Sequence, residues 1–202
     1  MTQYLAKIGI STVLTLVVFT VGCAAQQTEE QALAQLREMT SSGKLPPENI
    51  VADIETRFAN KKTGALAKLL RARIRFENKD FVGAASILNS DVFKQLTQLA
   101  DYALWLRGKA LQAAGNHGEA LNVFGEIVKD HGDSIRTRDA KLLWSTSAIA
   151  AGRAVEVPPY LIELSENKDS DAMLLTAKAY EAQGSQTEAI RYYRKTYFYS
   201  AG

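Results

Sequence analysis

Small and large apolar residues alternate around regularly spaced turns in much of this chain. In the clearest stretch, residues 101–134, small Gly108 and Ala120 and large Phe124 flank a break at Gly115–Asn116. Apolar residues recur at helical spacing on both sides of this break. The pattern predicts two helices that meet closely across a tight turn. Because such a hairpin cannot bury its apolar face alone, we expect copies of it to stack.

The same pattern occurs four times after Ala65. The turn positions lie about 32 to 37 residues apart and are Lys79, Gly115, Gly152 and Gly184. The third copy departs from the pattern, because Pro158–Pro159 stands where its second helix should start, and we expect that helix to begin late, near Tyr160. No stretch alternates like a strand. The sequence therefore predicts an all-α fold, an α-solenoid of stacked helical hairpins over residues 65–202.

A helical hairpin is also predicted ahead of the repeats, over residues 31–64. Thr28 and Gln31 have the spacing of a capping box and would start its first helix. Its second helix is expected from Glu48 to Asn60, with a basic and glycine-containing end at residues 61–64. Residues 23–30 would form a tether.

The first 22 residues have the pattern of an export signal. A short region with Lys7 precedes an uncharged apolar run from Ile8 to Val21, which ends at small residues around Cys23. A retained signal-anchor helix is the alternative. Cys23 is the single cysteine of the chain, so it has no partner for an internal disulfide. The Gly22–Cys23 pair resembles the lipobox of bacterial lipoproteins, although Thr20 stands where leucine is usual.

The lipobox resemblance implies that Cys23 is lipidated and becomes the first residue of the mature protein. Ala24 follows the cysteine, which in such lipoproteins favours the outer membrane, facing the periplasm. An unpaired cysteine that merely ends an ordinary signal is the competing interpretation.

The repeats resemble the tetratricopeptide repeat, whose period is about 34 residues. The second and fourth copies carry this likeness, with Gly108 or Ala177 followed by a glycine turn, Glu119–Ala120 or Glu188–Ala189, and a large aromatic residue. The stretch 177–200 is also similar to the α-superhelical region of soluble lytic murein transglycosylases. That second resemblance implies a scaffold without the catalytic domain, since the Glu–Ser motif of the family is absent from this sequence.

Composition and motifs argue against several classes of function. The 24 basic and 22 acidic residues are nearly balanced, and no basic tract predicts a nucleic-acid partner. His117 and His131 stand at turns rather than one helical turn apart, so we expect neither a metal site nor another cofactor. Phosphate-loop and nucleophile-elbow motifs are missing, so neither an enzyme nor a small-molecule substrate is predicted.

Two groups of side chains are candidate contact residues. Arg71 and Arg75 share a helix face and could meet an anionic envelope polymer or lipid head groups, but a solvated helix face is the favoured alternative. Near the C-terminus, Tyr193 and Tyr197 share a stripe expected to pack inward, whereas Tyr192 and Tyr199 point elsewhere.

Two interpretations of the C-terminal aromatic residues stay open. They could pack on the preceding hairpin, or the last repeat could be uncapped, so that it continues into a longer protein or docks on a partner. Taken together, the sequence predicts an exported, lipid-anchored scaffold that binds an envelope protein or peptide, or peptidoglycan. The alternative is the non-catalytic N-terminal part of a lytic transglycosylase.

Overall fold

The computed structural model describes residues 27–41 and 43–200. Within these ranges the chain forms twelve α-helices and one 3-10 turn, and no strand, which confirms the all-α prediction. The helices are α1 (Glu29–Ser41), α2 (Glu48–Arg57), α3 (Lys62–Glu77), α4 (Phe81–Leu88), α5 (Val92–Leu96), α6 (Ala100–Ala113), α7 (His117–Asp130), α8 (Thr137–Ala150), α9 (Val157–Tyr160), α10 (Ile162–Glu166), α11 (Ser170–Ala182) and α12 (Gln186–Ser200). The 3-10 turn, Ala154–Glu156, precedes α9.

Helices pack mainly on their neighbours along the chain. α3 packs on α2 and α4, α6 packs on α4 and α7, and α8 packs on α7. α11 contacts α8, α9 and α10 on one side and α12 on the other. The first helices of successive hairpins, α3, α6, α8 and α11, also contact one another in a row. This is the predicted α-solenoid of stacked hairpins.

The four predicted turn positions share one backbone conformation. Lys79, Gly115, Gly152 and Gly184 have φ angles of 65°, 79°, 74° and 75°. The left-handed region favours glycine because it lacks a Cβ, and it commonly ends a helix. The spacing of these residues in the sequence therefore marks where each first helix stops.

The hairpin α6–α7 is held by a close contact between a glycine and a ring. A Cβ on Gly108 would lie 2.5 Å from Phe124 Cε1, and Phe124 and Ala120 are fully buried. A side chain at residue 108 would have to displace this ring, because real Cβ contacts are longer. Gly108 and Ala120 therefore lie at the helix contact, as the sequence pattern indicated.

The start of α1 agrees with the sequence prediction, whereas the end of α2 does not. Thr28 N–H donates to Gln31 Oε1 at 3.0 Å and Gln31 N–H donates to Thr28 Oγ1 at 3.3 Å, which is the predicted capping box. However, α2 ends at Arg57, and residues 62–64, expected to end it, begin α3 instead. Gly64 serves close packing, since a Cβ there would overlap the Phe58 carbonyl group.

The second half of the third hairpin is broken into short pieces. It consists of the 3-10 turn, α9 and α10, with fully buried Leu161 between the two helices. The expected start near Tyr160 is wrong, because α9 begins at Val157 and contains Pro158 and Pro159 in its first turn. Proline is tolerated there since the first N–H groups of a helix have no intrahelical partner.

A short helix that the sequence analysis missed, α5, lies between the first and second repeated hairpins. Its Phe93 is 2% exposed and belongs to a cluster with Leu69, Ala72, Leu88, Ala103 and Leu106. α5 thus packs Phe93 into the junction where α3, α4 and α6 meet. Across residues 27–41 and 43–200, no helix has the length and apolar character that a membrane crossing requires.

Candidate functional site

The row formed by α3, α6, α8 and α11 presents a surface that we call the first-helix face. Several polar contacts join its members side by side. Trp105 Nε1–H donates to Asp139 Oδ2 at 2.5 Å, and Gln112 Nε2 donates to the Leu143 carbonyl oxygen at 3.2 Å and to Ser147 Oγ at 3.0 Å. These bonds tie α6 to α8, so side chains from separate hairpins form one surface.

Aromatic rings and cations gather at the centre of this face. The rings of Tyr102 and Trp105 stack with centroids 5.8 Å apart and planes at 25°. Lys109 Nζ lies 4.3 Å from the Trp105 ring centroid and 5.8 Å from that of Phe76. Arg136 Cζ lies 5.0 Å from Trp105 and 4.7 Å from Tyr102. We call these residues, together with Asp139, the Trp105 cluster.

Helical spacing explains how α6 contributes three members of the cluster. Tyr102, Trp105 and Lys109 recur at intervals of three and four residues, so they share one side of the helix. The other side carries the buried residues of α6, which are Ala103, Leu106, Gly108, Ala110 and Leu111. Packing thus fixes the helix and leaves the cluster half-buried at the surface.

The loop before α8 places Arg136 against the rings. Asp101 Oδ2 accepts a hydrogen bond from Ser134 Oγ at 2.6 Å and lies 3.9 Å from Arg136 Nε. Ser134 Oγ in turn accepts from Arg136 N–H at 3.1 Å. This network holds the guanidinium over Tyr102 and Trp105 before any ligand arrives.

The chemistry of the cluster suits ligand recognition. A cation over an aromatic ring contributes about 0.5–1 kcal/mol at an exposed site, and more when a ligand removes water. The half-buried rings can stack on a ligand side chain or ring, while Lys109 and Arg136 can pair with a carboxylate. In the part of the chain that the structure describes, no group of three or more His, Cys, Asp or Glu side chains could hold a metal ion.

Another groove lies on a different side of α6, beside Arg107. Its volume is about 260 Å³, and its wall includes Lys94, Glu126 and His131. The buried Arg107 Nε has no hydrogen-bond partner among the described residues. Cationic and acidic groups both line this groove, so it does not select a ligand charge. His131 is part of the groove wall, and both histidines are half-buried, with His117 Nδ1 buried.

The predicted basic residues Arg71 and Arg75 are engaged in ion pairs. Arg71 Nε and Nη2 donate to the Glu55 carboxylate at 2.6 and 3.0 Å. Arg75 Nε donates to Glu48 Oε1 at 2.7 Å, and its Nη1 donates to Asp80 Oδ2 at 3.0 Å. The hydrogen bond to Glu48 raises the pKa of Arg75. The Arg71–Glu55 and Arg75–Glu48 pairs both join α3 to α2. A structural role therefore accounts for the basic stripe.

The predicted aromatic residues Tyr192 and Tyr199 lie on α12, far along the chain from Arg71 and Arg75. The Tyr192 ring packs 5.6 Å from that of Tyr180, and Lys195 Nζ lies 4.9 Å from its centroid. Tyr199 is exposed, with Lys168 Nζ 5.5 Å from its ring. Inward packing of Tyr197 was wrong, because this ring is 74% exposed.

Tyr193, the other member of the expected inward stripe, is half-buried. Its hydroxyl donates to Glu181 Oε2 at 2.5 Å, which together with burial raises the pKa of the Tyr193 hydroxyl. The predicted lipidation site, Cys23, and the predicted export signal of residues 1–22 lie outside the described residues.

Comparison with known protein families identifies the repeats. The family described as tetratricopeptide repeat matches residues 102–134 and 171–196. Two segments of the chain are therefore similar to the tetratricopeptide repeat. The first matched repeat comprises the α6–α7 hairpin and the second the α11–α12 hairpin. No curated protein and no solved structure matches the chain significantly.

The two tetratricopeptide repeats differ on the first-helix face. They start at residues 102 and 171, which are 69 positions apart. At this offset Trp105 of the first repeat corresponds to Leu174 of the second, and Tyr102 corresponds to Asp171. Of the two matched repeats, only the first contributes Tyr102 and Trp105 to the Trp105 cluster, whose other members come partly from α3 and from the start of the α8 hairpin. Sequence reasoning missed it, although two aromatic residues and a lysine on one helix side were a usable signal.

Proposed function

We propose that this chain is an exported, lipid-anchored scaffold that holds a protein partner in the bacterial envelope through the Trp105 cluster. Tetratricopeptide repeats suggest protein–protein interaction, because stacked hairpins present an extended surface to a ligand. The observation that carries the proposal is the position of Trp105, half-buried between two cations and bonded to Asp139 of the next hairpin. Aromatic residues and arginine are the side chains enriched at binding hot spots.

The partner segment that fits this cluster is a peptide with an aromatic or aliphatic side chain next to a carboxylate. The apolar group would stack on Tyr102 and Trp105, and the carboxylate would pair with Lys109 and Arg136. Arg136 has only a long contact of 3.9 Å to Asp101, and no ion pair of Lys109 is recorded among the described residues. Their charges are thus available to a ligand.

Anchoring through Cys23 would keep this surface at a membrane. Several acyl chains on one cysteine hold a protein stably, whereas one chain binds only marginally. We propose the outer membrane, facing the periplasm, as the location, on the grounds of the lipobox-like sequence and Ala24. Metabolic labelling with a clickable fatty acid should mark the wild-type chain and not Cys23→Ala, and label retained by that variant would refute the anchor.

Site-specific photo-crosslinking in intact envelopes tests the binding surface. A photoreactive residue at Lys109 should yield a discrete protein adduct, whereas the same residue at exposed Asn122 on α7 should not. Arg136→Glu should reduce the adduct formed at residue 109, and the matched charge change Lys129→Glu on α7 should leave it unchanged. Equal adducts at residues 109 and 122, or an adduct insensitive to Arg136→Glu, would reject the proposal.

A cell-wall partner is a separate outcome of the same experiment. If the crosslinked material from residue 109 is digested by muramidase rather than by protease, peptidoglycan and not a protein occupies the face. The transglycosylase alternative depends on the similarity of residues 177–200 alone. Reading the gene beyond codon 202 tests it, since an in-frame lysozyme-like domain would support it and a stop codon would remove it.

A further inference from the structure

Helix α12 carries an exposed apolar stripe. Ile190 and Tyr197 are 50% and 74% exposed, and they are seven residues apart, so they share one side of the helix. Arg194 lies between them on the same side. We call Ile190, Arg194 and Tyr197 the α12 face. Exposed large apolar side chains grouped in this way often mark an interaction site.

The chain contains a covered version of this face on α7. At the 69-residue offset of the two tetratricopeptide repeats, Leu121 corresponds to Ile190 and Val128 to Tyr197. Leu121 is only 2% exposed, and Val128 packs against the central core cluster. The counterpart of Ile190 is therefore buried and that of Tyr197 half-buried in the first repeat, whereas Ile190 and Tyr197 are both exposed.

The helix that packs against the α7 version at Gly125 is α8. The two helices pack together, and a Cβ built on Gly125 would point at Trp144 Nε1 of α8 from 4.0 Å. Gly125 corresponds to Arg194, so the α12 face occupies the repeat position that receives a helix elsewhere in this chain. A helix is therefore the geometry that fits it.

The charge of α12 indicates which kind of helix fits. Its basic residues are Arg191, Arg194 and Lys195, and its one acidic residue, Glu188, pairs with Arg191 at 2.9 Å. No ion pair of Arg194 or Lys195 is recorded within residues 27–41 and 43–200. In a symmetric dimer through this face, Arg194 would meet its own copy, and like charges opposite each other disfavour that association.

We propose that the α12 face binds an amphipathic helix of a partner protein, with an apolar stripe for Ile190 and Tyr197 and acidic residues that pair with Arg194. This surface is distinct from the Trp105 cluster, which lies on α3, α6 and the start of α8. The proposal therefore does not depend on the proposed function.

Two designed helical peptides test the proposal with the purified full-length chain. Both carry leucines at i, i+3, i+4 and i+7, and they differ only in having glutamate or lysine beside the stripe. In fluorescence anisotropy titrations of the labelled peptides, we expect the glutamate peptide to bind about tenfold tighter or better, since like-charge contacts oppose the lysine peptide. Arg194→Glu should reverse this preference.

Substitutions on the stripe locate the binding site. Ile190→Ser and Tyr197→Ser should each weaken the glutamate peptide by about tenfold, because truncating a central apolar contact removes much of the binding energy. The matched control is Ile135→Ser, a 92% exposed isoleucine before α8. All three side chains are exposed, so thermal melting should stay at the wild-type temperature and show that each variant folds.

Three results would overturn the inference. The first is equal binding of the two peptides to the wild-type chain, and the second is glutamate-peptide binding that survives Ile190→Ser. The third is a concentration-dependent dimer in sedimentation equilibrium that Tyr197→Ser abolishes, because the occupant would then be a second copy of this chain.

Discussion

Replacing Gly108 by alanine tests the close contact between α6 and α7. In a helix interior, alanine is favoured over glycine by about 0.5–1 kcal/mol, so an unobstructed site would gain stability. At residue 108 the new Cβ would lie 2.5, 2.7 and 2.9 Å from Phe124 Cε1, Cζ and Cδ1. Overpacking of this kind costs about 1–3 kcal/mol. We therefore expect a net loss of about 0.5–2 kcal/mol, and a larger loss for Gly108→Leu.

Gly125 offers the matched control within α7. A Cβ there has one neighbour within 4 Å, Trp144 Nε1 at 4.0 Å, which is ordinary contact. Gly125→Ala should therefore gain about 0.5–1 kcal/mol from helix propensity. Urea unfolding followed by circular dichroism should separate the two alanine variants by about 1–3 kcal/mol, and each kcal/mol moves the melting temperature by about 2–4 °C in a chain of this size.

A second substitution tests the cause of the Gly108 effect. Phe124→Leu removes the ring atoms Cε1 and Cζ, so Gly108→Ala should cost less in that background, with a coupling energy of about 0.5–3 kcal/mol. Exposed Lys129→Leu should change stability by less than about 0.5 kcal/mol. If Gly108→Ala proved as stable as Gly125→Ala, the inference that the ring of Phe124 excludes a side chain at 108 would be refuted.

Three further predictions follow from single residues. Lys79→Gly should raise the melting temperature, because the φ of 65° at residue 79 costs a non-glycine residue about 1 kcal/mol. Gly115→Ala should lower the melting temperature for the same reason. Although burial alone would raise the pKa of Asp169, hydrogen bonds from Arg138 and from backbone N–H groups hold it below its ordinary value. The stabilisation from the ionised carboxylate is then complete above about pH 4 and is lost as the pH falls through the lowered pKa. Asp169→Asn should therefore lower the free energy of unfolding at pH 7. Below the lowered pKa, the variant and the wild type should have the same stability in acid unfolding. Phe93→Ala should cost about 3–5 kcal/mol in urea unfolding, and a smaller loss would show that α5 is not part of the core.

The predictable part of the fold rests on residues whose constraints are local. A left-handed turn needs glycine or a tolerant substitute, so Gly115, Gly152 and Gly184 could be recognised from spacing alone. Gly108 and Phe124 were equally visible, because a small residue opposite a large one is a pattern within a single hairpin. Each of these features depends on a few residues that are close together along the chain, so the sequence alone reveals them.

The features that were missed depend on how separate segments pack. α5 is one turn long and produces no periodicity, so Phe93 gave little sign of a buried helix. Arg71 pairs with Glu55 of another helix, and only the packing of α3 on α2 brings the two together. Tyr197 was placed on the correct stripe, but whether that stripe is buried depends on a neighbouring helix.

Aligning the two matched repeats distinguishes positions that are constrained by helix packing from positions that can vary with the ligand. Gly108 and its counterpart Ala177 are both small because a second helix passes close to each. Trp105 and its counterpart Leu174 differ, since the first-helix face does not have to accommodate the other helix of the hairpin. A family match made on the constrained positions therefore identifies the scaffold and carries no information about the ligand. The partner must be sought through the side chains at the unconstrained positions, among which the Trp105 cluster joins three hairpins.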